Sequence, residues 1–480
     1  MSQYLTLSGT ILAERFLIKE QLGQGGNAFV YLAQELESER WVAIKHLTLG
    51  AQLQEFEKGN LIKRFLIEAN LMQSLSHPHI MTVYEHFEID GHYFMVMEYL
   101  KGLTLKEIMN RTQLGHRELL ILIEQVLGAL EYAHGQRIVH RDIKPDNIMV
   151  IRQNNQIIAK LLDFGIARLE FNQQLTTDGA LLGTIAYMSP EQLQNSHNIT
   201  HQTDIYSIGI VLYELFTHQL PYVAENPGLA ILQILGQEPV SPIDHNSAVG
   251  QDINQIILAC MSKYPHHRFA SCHLLQKLIQ ELIQKGYSQG VQPDAQSEPC
   301  LPKIREFEEF RFLELLETLL EKGFSGSCCV WNAFQEGELY LRQGKVISFK
   351  SRNMRLDILP SLADIVCWQA GNFYLQTDVS PIEDELQLET PILLPLLKES
   401  FLNFKILWED YHDYDLPEKI APMIDLERFS PVAREILPIL DSGLCIGQIY
   451  TLLPYTRTDI LKGIKELEDR QYIFIERIRD

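Results

Sequence analysis

The chain lacks any apolar run long enough to cross a bilayer. The longest, from about Ile205 to Phe216, carries Glu214 and falls short of the roughly 20 residues a spanning helix needs. A basic start followed by an apolar stretch and a small-residue cleavage site is also missing, so no signal peptide is expected. Positive charge is scarce. With 41 Lys and Arg against 62 Asp and Glu, the net charge of −21 disfavours binding to phosphate backbones or anionic lipid. Cysteine is scarce as well: seven, odd in number and scattered through 480 residues, make no disulfide framework. A reduced cytoplasmic interior fits this usage, and adjacent Cys328-Cys329 reads as a pair of small buried hydrophobes in a strand. No repeat of fixed period is visible.

What is present changes character along the chain. Short β-like runs alternate with turns from Ile11 to Val96, broken by a helical stretch near Ile62 to Leu75. Helical periodicity dominates from about Leu105 to Leu282. A Gly-, Ser-, Gln- and Pro-rich stretch at 286–303 reads as a linker. Beyond it, Phe307, Phe310, Leu313, Leu316 and Leu320 recur at helical spacing and predict an amphipathic helix with a solvated acidic face. Runs flanking Gln343-Gly344 predict a hairpin. Ala363 and Trp368, then Gly371 to Leu375, predict a short helix leading into a strand. Helical patterns at Val432–Leu440, Ile446–Leu453 and Thr458–Leu467 precede a strand at Tyr472–Ile475.

The chemistry is concentrated in His140-Arg141-Asp142-Ile143-Lys144-Pro145-Asp146-Asn147, followed by Asp163-Phe164-Gly165. Phosphoryl transfer from a metal nucleotide needs one acid to orient and deprotonate a hydroxyl. A second acid and an amide are needed to hold magnesium. Either tripeptide alone is weak; both together, behind a nucleotide-binding half, are specific. Over about 12–285 the chain resembles the eukaryotic-like (Hanks-type) serine/threonine protein kinases of bacteria.

That resemblance implies an α+β, bilobal protein-kinase fold with a β-rich N-lobe and an α-helical C-lobe, and ATP with Mg²⁺ (Mn²⁺ as an alternative) as cofactors. Asp142 takes the place of the catalytic base and Lys144 that of the γ-phosphate cation typical of serine/threonine kinases. Asn147 and Asp163 take the places of the magnesium ligands. In Leu22-Gly-Gln-Gly-Gly-Asn-Ala-Phe-Val-Tyr31 the glycine-rich loop is expected, Gly23 and Gly25 admitting the phosphates and Val30 covering the adenine. Ala28 departs from the third glycine of the pattern. Lys45, ending Val42-Ala43-Ile44-Lys45, is expected to pair with Glu68 and reach the α- and β-phosphates. Met97 is the expected gatekeeper, with Glu98 and Leu100 of the hinge and Met149 completing the adenine site.

Phosphorylation is expected at Thr176 or Thr177, received by Arg141. Thr184 matches the substrate-facing threonine. Glu191 is expected to pair with Arg268, and Asp204 to bond the backbone of the catalytic loop. Residues 304–410 resemble a PATAN-type α+β domain. Residues 425–480 resemble a winged helix-turn-helix, but seven Lys/Arg against eight Asp/Glu over 431–480 favour protein interaction over DNA. Protein substrates, a regulatory partner bound through 301–480, and dimerisation are the partners the resemblance allows. A pseudokinase scaffold and a kinase-controlled DNA-binding regulator are the rival readings. Truncation at 301 is expected to leave phosphate transfer intact.

Overall fold

The computed structural model describes residues 7–25, 27–50, 54–111, 114–154, 156–165, 183–194, 199–285, 305–307, 310–332, 335–351, 358–377, 390–408, 411, 415–419, 429–440, 444–470 and 472–476. Two compact units divide the chain. One comprises Met1–Asn195, Thr203–Gly250 and Leu275–Gln296; the other comprises Ser196–Gln202, Gln251–Leu274 and Ser297–Asp480. The first three segments thus hold most of the predicted kinase region. Residues 251–274 group instead with the C-terminal third.

The first unit opens with β1 (Ile11–Leu12), β2 (Phe16–Gln24), β3 (Ala28–Glu35) and β4 (Trp41–Leu47). After α1 (Glu55–Ser74) come β5 (Val83–Ile89) and β6 (His92–Glu98). The strands form one antiparallel sheet in the order β1-β2-β3-β4-β6-β5. Its outer core is Phe16, Ile18, Tyr31, Ala33, Val42, Ile44, Phe94 and Val96. Helix α1 starts seven residues before the helix expected at Ile62, held by a bond from the Gln54 N–H to Glu57 Oε2 at 2.7 Å. Its buried face is Phe65, Glu68, Ala69 and Met72, an i, i+3, i+4, i+7 stripe with a carboxylate among apolar neighbours. Such a carboxylate needs a cation.

Then follow β7 (Gly102–Thr104), α2 (Leu105–Arg111), α3 (His116–Gly135), β8 (Ile148–Gln153) and β9 (Gln156–Leu161). The three strands form a small sheet in the order β7-β8-β9. Helices α4 (Pro190–Leu193), α5 (Gln202–Thr217), α6 (Pro227–Gly236), α7 (Pro242–His245), α8 (Gln251–Cys260) and α9 (Cys272–Lys285) complete the predicted kinase region. The apolar run expected to be too short for a membrane is α5, buried almost throughout. No helix among the described residues is long and apolar enough to cross a membrane.

In the second unit, β10 (Arg305–Phe307) precedes α10 (Phe312–Glu321). Next come β11 (Gly326–Trp331), β12 (Glu336–Arg342), β13 (Lys345–Ser351), α11 (Ile358–Ile365) and β14 (Gly371–Gln376). They build a five-stranded sheet, β10-β14-β11-β12-β13. The amphipathic helix therefore begins at Phe312. Phe307 belongs to a strand, paired with Gly371. Cys328 and Cys329 are buried in β11. At the expected hairpin, Gln343 (φ 50°) and Gly344 (φ 70°) are both left-handed, as a two-residue type I′ turn requires.

The remaining elements are α12 (Thr390–Trp408), β15 (Leu416–Lys419), α13 (Pro431–Leu440), α14 (Ile446–Leu452), α15 (Arg457–Asp469) and β16 (Ile473–Glu476), with β15 and β16 antiparallel. Neither α12 nor β15 was expected from the sequence. One hydrophobic cluster runs from Phe307 through Trp368, Leu397 and Ile436 to Ile475, so 304–410 and 425–480 share a core. Within it Arg457 Nε lies 3.2 Å from Asp364 Oδ2, and both side chains are almost wholly buried.

Candidate active site

Strand β4 carries Lys45. Its Nζ lies 2.7 Å from Glu68 Oε1 of α1 and 3.0 Å from Asp163 Oδ2, just beyond β9. Burial alone would lower the ammonium's pKa. The Asp163 and Glu68 carboxylates outweigh it and hold the pKa above the ordinary lysine value. Burial pushes the Glu68 carboxyl up, opposed by Lys45. The expected ion pair is thus present, with Asp163 as a third member.

The loop after α3 is organised by a carboxylate from α5. Asp204, fully buried, accepts from the backbone N–H groups of His140 and Arg141, at 2.8 Å each. It also meets His134 Nε2 at 2.8 Å. Arg141 sits at φ +65°, a left-handed backbone unusual for a side chain of its size. Its N–H is fixed by Asp204, and its carbonyl accepts from Gln192 Nε2 at 2.9 Å. Past that turn, Asp142 Oδ2 lies 3.2 Å from Lys144 Nζ. Asn147 Nδ2 donates to Asp142 Oδ2 at 3.0 Å and to its carbonyl at 2.8 Å. Lys144 Nζ donates to Thr184 Oγ1 at 3.4 Å.

Gly165 closes the arrangement. Its N–H donates to the His140 carbonyl at 2.9 Å, and a Cβ built there would lie 2.7 Å from the Asp142 Cβ. Only glycine permits this approach. His140 is buried with its ring 4.5 Å from that of Phe164. Burial holds its pKa below the ordinary value, against the pull of Asp204, Asp142 and Asp163. It packs against Phe164, and its Nδ1 accepts from the Asp142 N–H at 3.3 Å.

On the nucleotide side, the β2–β3 turn is closed by a bond from the Gly25 N–H to the Ala28 carbonyl at 2.8 Å. A Cβ on Gly23 would meet nothing within 4 Å, and one on Gly25 only the Ala28 carbonyl at 3.7 Å. Among the described residues nothing crowds either position. Val30 stands opposite Lys45 across β3 and β4. Ala43 and Met97 are buried and paired across β4 and β6. Glu98 uses its carboxylate within the protein, on the Thr82 N–H (2.7 Å) and Lys160 Nζ (2.6 Å). Leu22 is exposed, and Leu100 and Met149 are half-buried.

Residues 16–279 of the chain match the protein kinase domain. The chain belongs to the protein kinase family. It is 36% identical to serine/threonine-protein kinase PrkC of Bacillus subtilis, over 63% of this chain and 46% of that protein. To the probable serine/threonine-protein kinase PknB of Lactococcus lactis it is 35% identical, over 54% and 41%. To serine/threonine-protein kinase PknB of Mycolicibacterium smegmatis it is 33% identical, over 59% and 44%. The chain spans about half the length of the curated relatives it matches.

As a kinase site, the constellation suits a magnesium nucleotide. Among the described residues, both side-chain hydrogen bonds of Asn147 run from its nitrogen to acceptors on Asp142, and its amide oxygen is the atom suited to a cation. Asp163 contributes a carboxylate that is 46% exposed. Two hard oxygen donors suit Mg²⁺, which keeps phosphates and waters as its other ligands.

Thr176 and Thr177 lie outside the described residues. Glu191 and Arg268 fall in different units. In the first, buried Glu191 accepts from Thr203 Oγ1 at 2.8 Å. In the second, buried Arg268 donates to the carbonyls of Ser262 (2.8 Å), Gln202 (2.9 Å) and Lys263 (3.2 Å). The sequence reading missed His134 and Gln192. A histidine in the last turn of α3 and a glutamine in the short α4 carry no local signature, and only their distant partners give them a role.

Proposed function

We propose that this protein transfers the γ-phosphate of ATP to serine and threonine hydroxyls of proteins, itself included. The observation that carries the reading is a pair of clusters, Lys45–Glu68–Asp163 and Asp142–Lys144–Asn147, whose segments are joined where the Leu162 N–H donates to the Asn147 carbonyl at 2.9 Å. Asp142 accepts the proton of the attacking hydroxyl, held in position by the Asn147 amide. Lys144, bonded to both Asp142 and Thr184, sets a positive charge where charge builds on the transferred group. Lys45, kept charged by its two carboxylates, holds the α- and β-phosphates. Leu22, Gly23, Gly25, Val30, Ala43, Met97, Glu98, Leu100 and Met149 form the nucleotide pocket. Asn147 and Asp163 would hold magnesium, which would supply neutralisation of phosphate charge.

Regulation in this reading runs through the activation segment. Thr176 or Thr177 takes a phosphate that Arg141 receives, and Glu191 pairs with Arg268 at the segment's end. The PATAN-like and winged-helix-like portions select a partner or signal, and pairing of two kinase regions belongs to the same reading. A cytoplasmic site, where ATP and reducing conditions coincide, goes with it.

The test is intact-mass measurement after incubation with ATP and Mg²⁺. The wild-type chain should gain phosphate and Asp142→Asn none, while both bind ATP. A folded wild-type chain that phosphorylates neither itself nor a generic protein acceptor would sink the proposal. Phosphopeptide mapping that finds neither Thr176 nor Thr177 modified in the active protein would remove the regulatory part alone.

A further inference from the structure

Residues 267–271 lie within the matched kinase domain, yet their neighbours in the second unit come from the C-terminal sheet. The Trp331 indole N–H donates to the Arg268 carbonyl at 3.0 Å, with both residues fully buried. The Trp331 ring stacks on Phe269, centroids 5.6 Å apart and planes 14° off parallel. Asn372 Nδ2 donates to the His267 carbonyl at 3.0 Å. Ser271 Oγ donates to Glu336 Oε2 at 2.6 Å. Strands β11, β14 and β12 each contribute to this grip. Unpaired carbonyls buried at this place would be costly, so the loop and the sheet fit one another as parts of one core.

The loop so gripped points its chemistry back toward the catalytic residues along the chain. Arg268 Nη1 donates to the Gln202 carbonyl, and His201 Nε2 and Gln202 Nε2 meet the Ala270 carbonyl at 2.7 and 3.4 Å. Gln202 is the first residue of α5, and Thr203 and Asp204 follow it in the same turn. Asp204 is the carboxylate that holds the His140 and Arg141 amides.

We infer that the C-terminal sheet is a positioning element for the kinase's catalytic loop: Trp331, Asn372 and Glu336 fix 267–271, which fixes the first turn of α5 and hence Asp204. This rests on the kinase reading for its consequence on catalysis but not for its structural content. Trp331, Asn372 and Glu336 are positioning residues and touch no substrate. The arrangement makes the C-terminal third a control surface.

The experiment compares full-length wild type with Trp331→Phe, which keeps a ring against Phe269 but removes the donor, and with Asn372→Ala. Hydrogen exchange is followed in peptides covering 138–147, 199–206 and, as a control, 83–98. Loss of one buried hydrogen bond should open 199–206 and 138–147 roughly tenfold more often, with 83–98 unchanged. In the same proteins kcat for a peptide acceptor should fall several-fold while KM for ATP holds. Unaltered exchange in both peptides of folded variants overturns the inference, as does a change spread evenly over all three. A wild-type chain without phosphate transfer would defeat the kinase reading, while the exchange result still decides this one.

Discussion

Asp204 meets no substrate, yet it gathers three donors: two backbone amides of the catalytic loop and His134. Burial would raise its pKa. The bond and charge of His134, with the His140 amide, hold it below the ordinary carboxylate value instead. A carboxyl whose folded pKa is depressed stabilises the fold above its unfolded pKa of about 3.9, and that contribution fades as pH falls through the folded value. Asp204→Asn should therefore cost about 1.5–3 kcal/mol at pH 7, the worth of hydrogen bonds to a charged group. Denaturant titrations at pH 7 and near pH 3 measure it. A deficit that stays the same on acidification would show that charge is not what matters there. Asp204 was legible in the sequence because a lone acid before a strongly apolar run needs a buried task. His134 and Gln192 were not, since their partners lie far away in the chain.

At the scale of elements, period was a good guide where one element makes its own face and a poor one where a sheet recruits its edge. The β12–β13 hairpin was readable because its turn demands two left-handed residues. A Cβ on Gly344 would come within 2.2 Å of the Leu320 carbonyl. Phe307 was misread because it keeps helical spacing with Phe310 and Leu313. Pairing opposite Gly371 wins, since glycine leaves room there: a Cβ on Gly371 would lie 2.8 Å from the Phe307 ring. Strand β4 carries a pH-dependent contribution of its own. His46 stacks on Phe94, ring centroids 4.6 Å apart, and shares a 3.2 Å hydrogen bond with His92. Burial, with the charge of His92, pulls its pKa down to about 4. Between the unfolded value of about 6.5 and that folded value, the unfolded chain binds the extra proton, so stability rises with pH. His46→Gln should flatten the dependence of the melting midpoint on pH between 4 and 6.5. An equally steep variant would assign the slope to other groups.

The whole molecule departs most from what its sequence suggests. A Gly- and Pro-rich stretch at 286–303 reads as a boundary, and truncation beyond it is expected to leave the catalytic region complete. Composition marks a chain segment as a linker but does not say which core the flanking residues join. Here Phe269 and the carbonyls of His267 and Arg268 are partnered by Trp331 and Asn372. A fragment ending at 285 would leave Phe269 without its stacking ring and hand both carbonyls to water. Uncovering part of one aromatic side chain costs about 1–2 kcal/mol, and each hydrogen bond about 1 kcal/mol. The fragment should thus be about 3–4 kcal/mol less stable than the corresponding region of the full chain. At about 2–4 °C per kcal/mol for a domain of this size, its melting midpoint should drop by roughly 10 °C. Differential scanning fluorimetry of 1–285 beside the full chain decides the point. A fragment that melts where the full chain's kinase region does would show that the sheet leans on the 267–271 loop without supporting it.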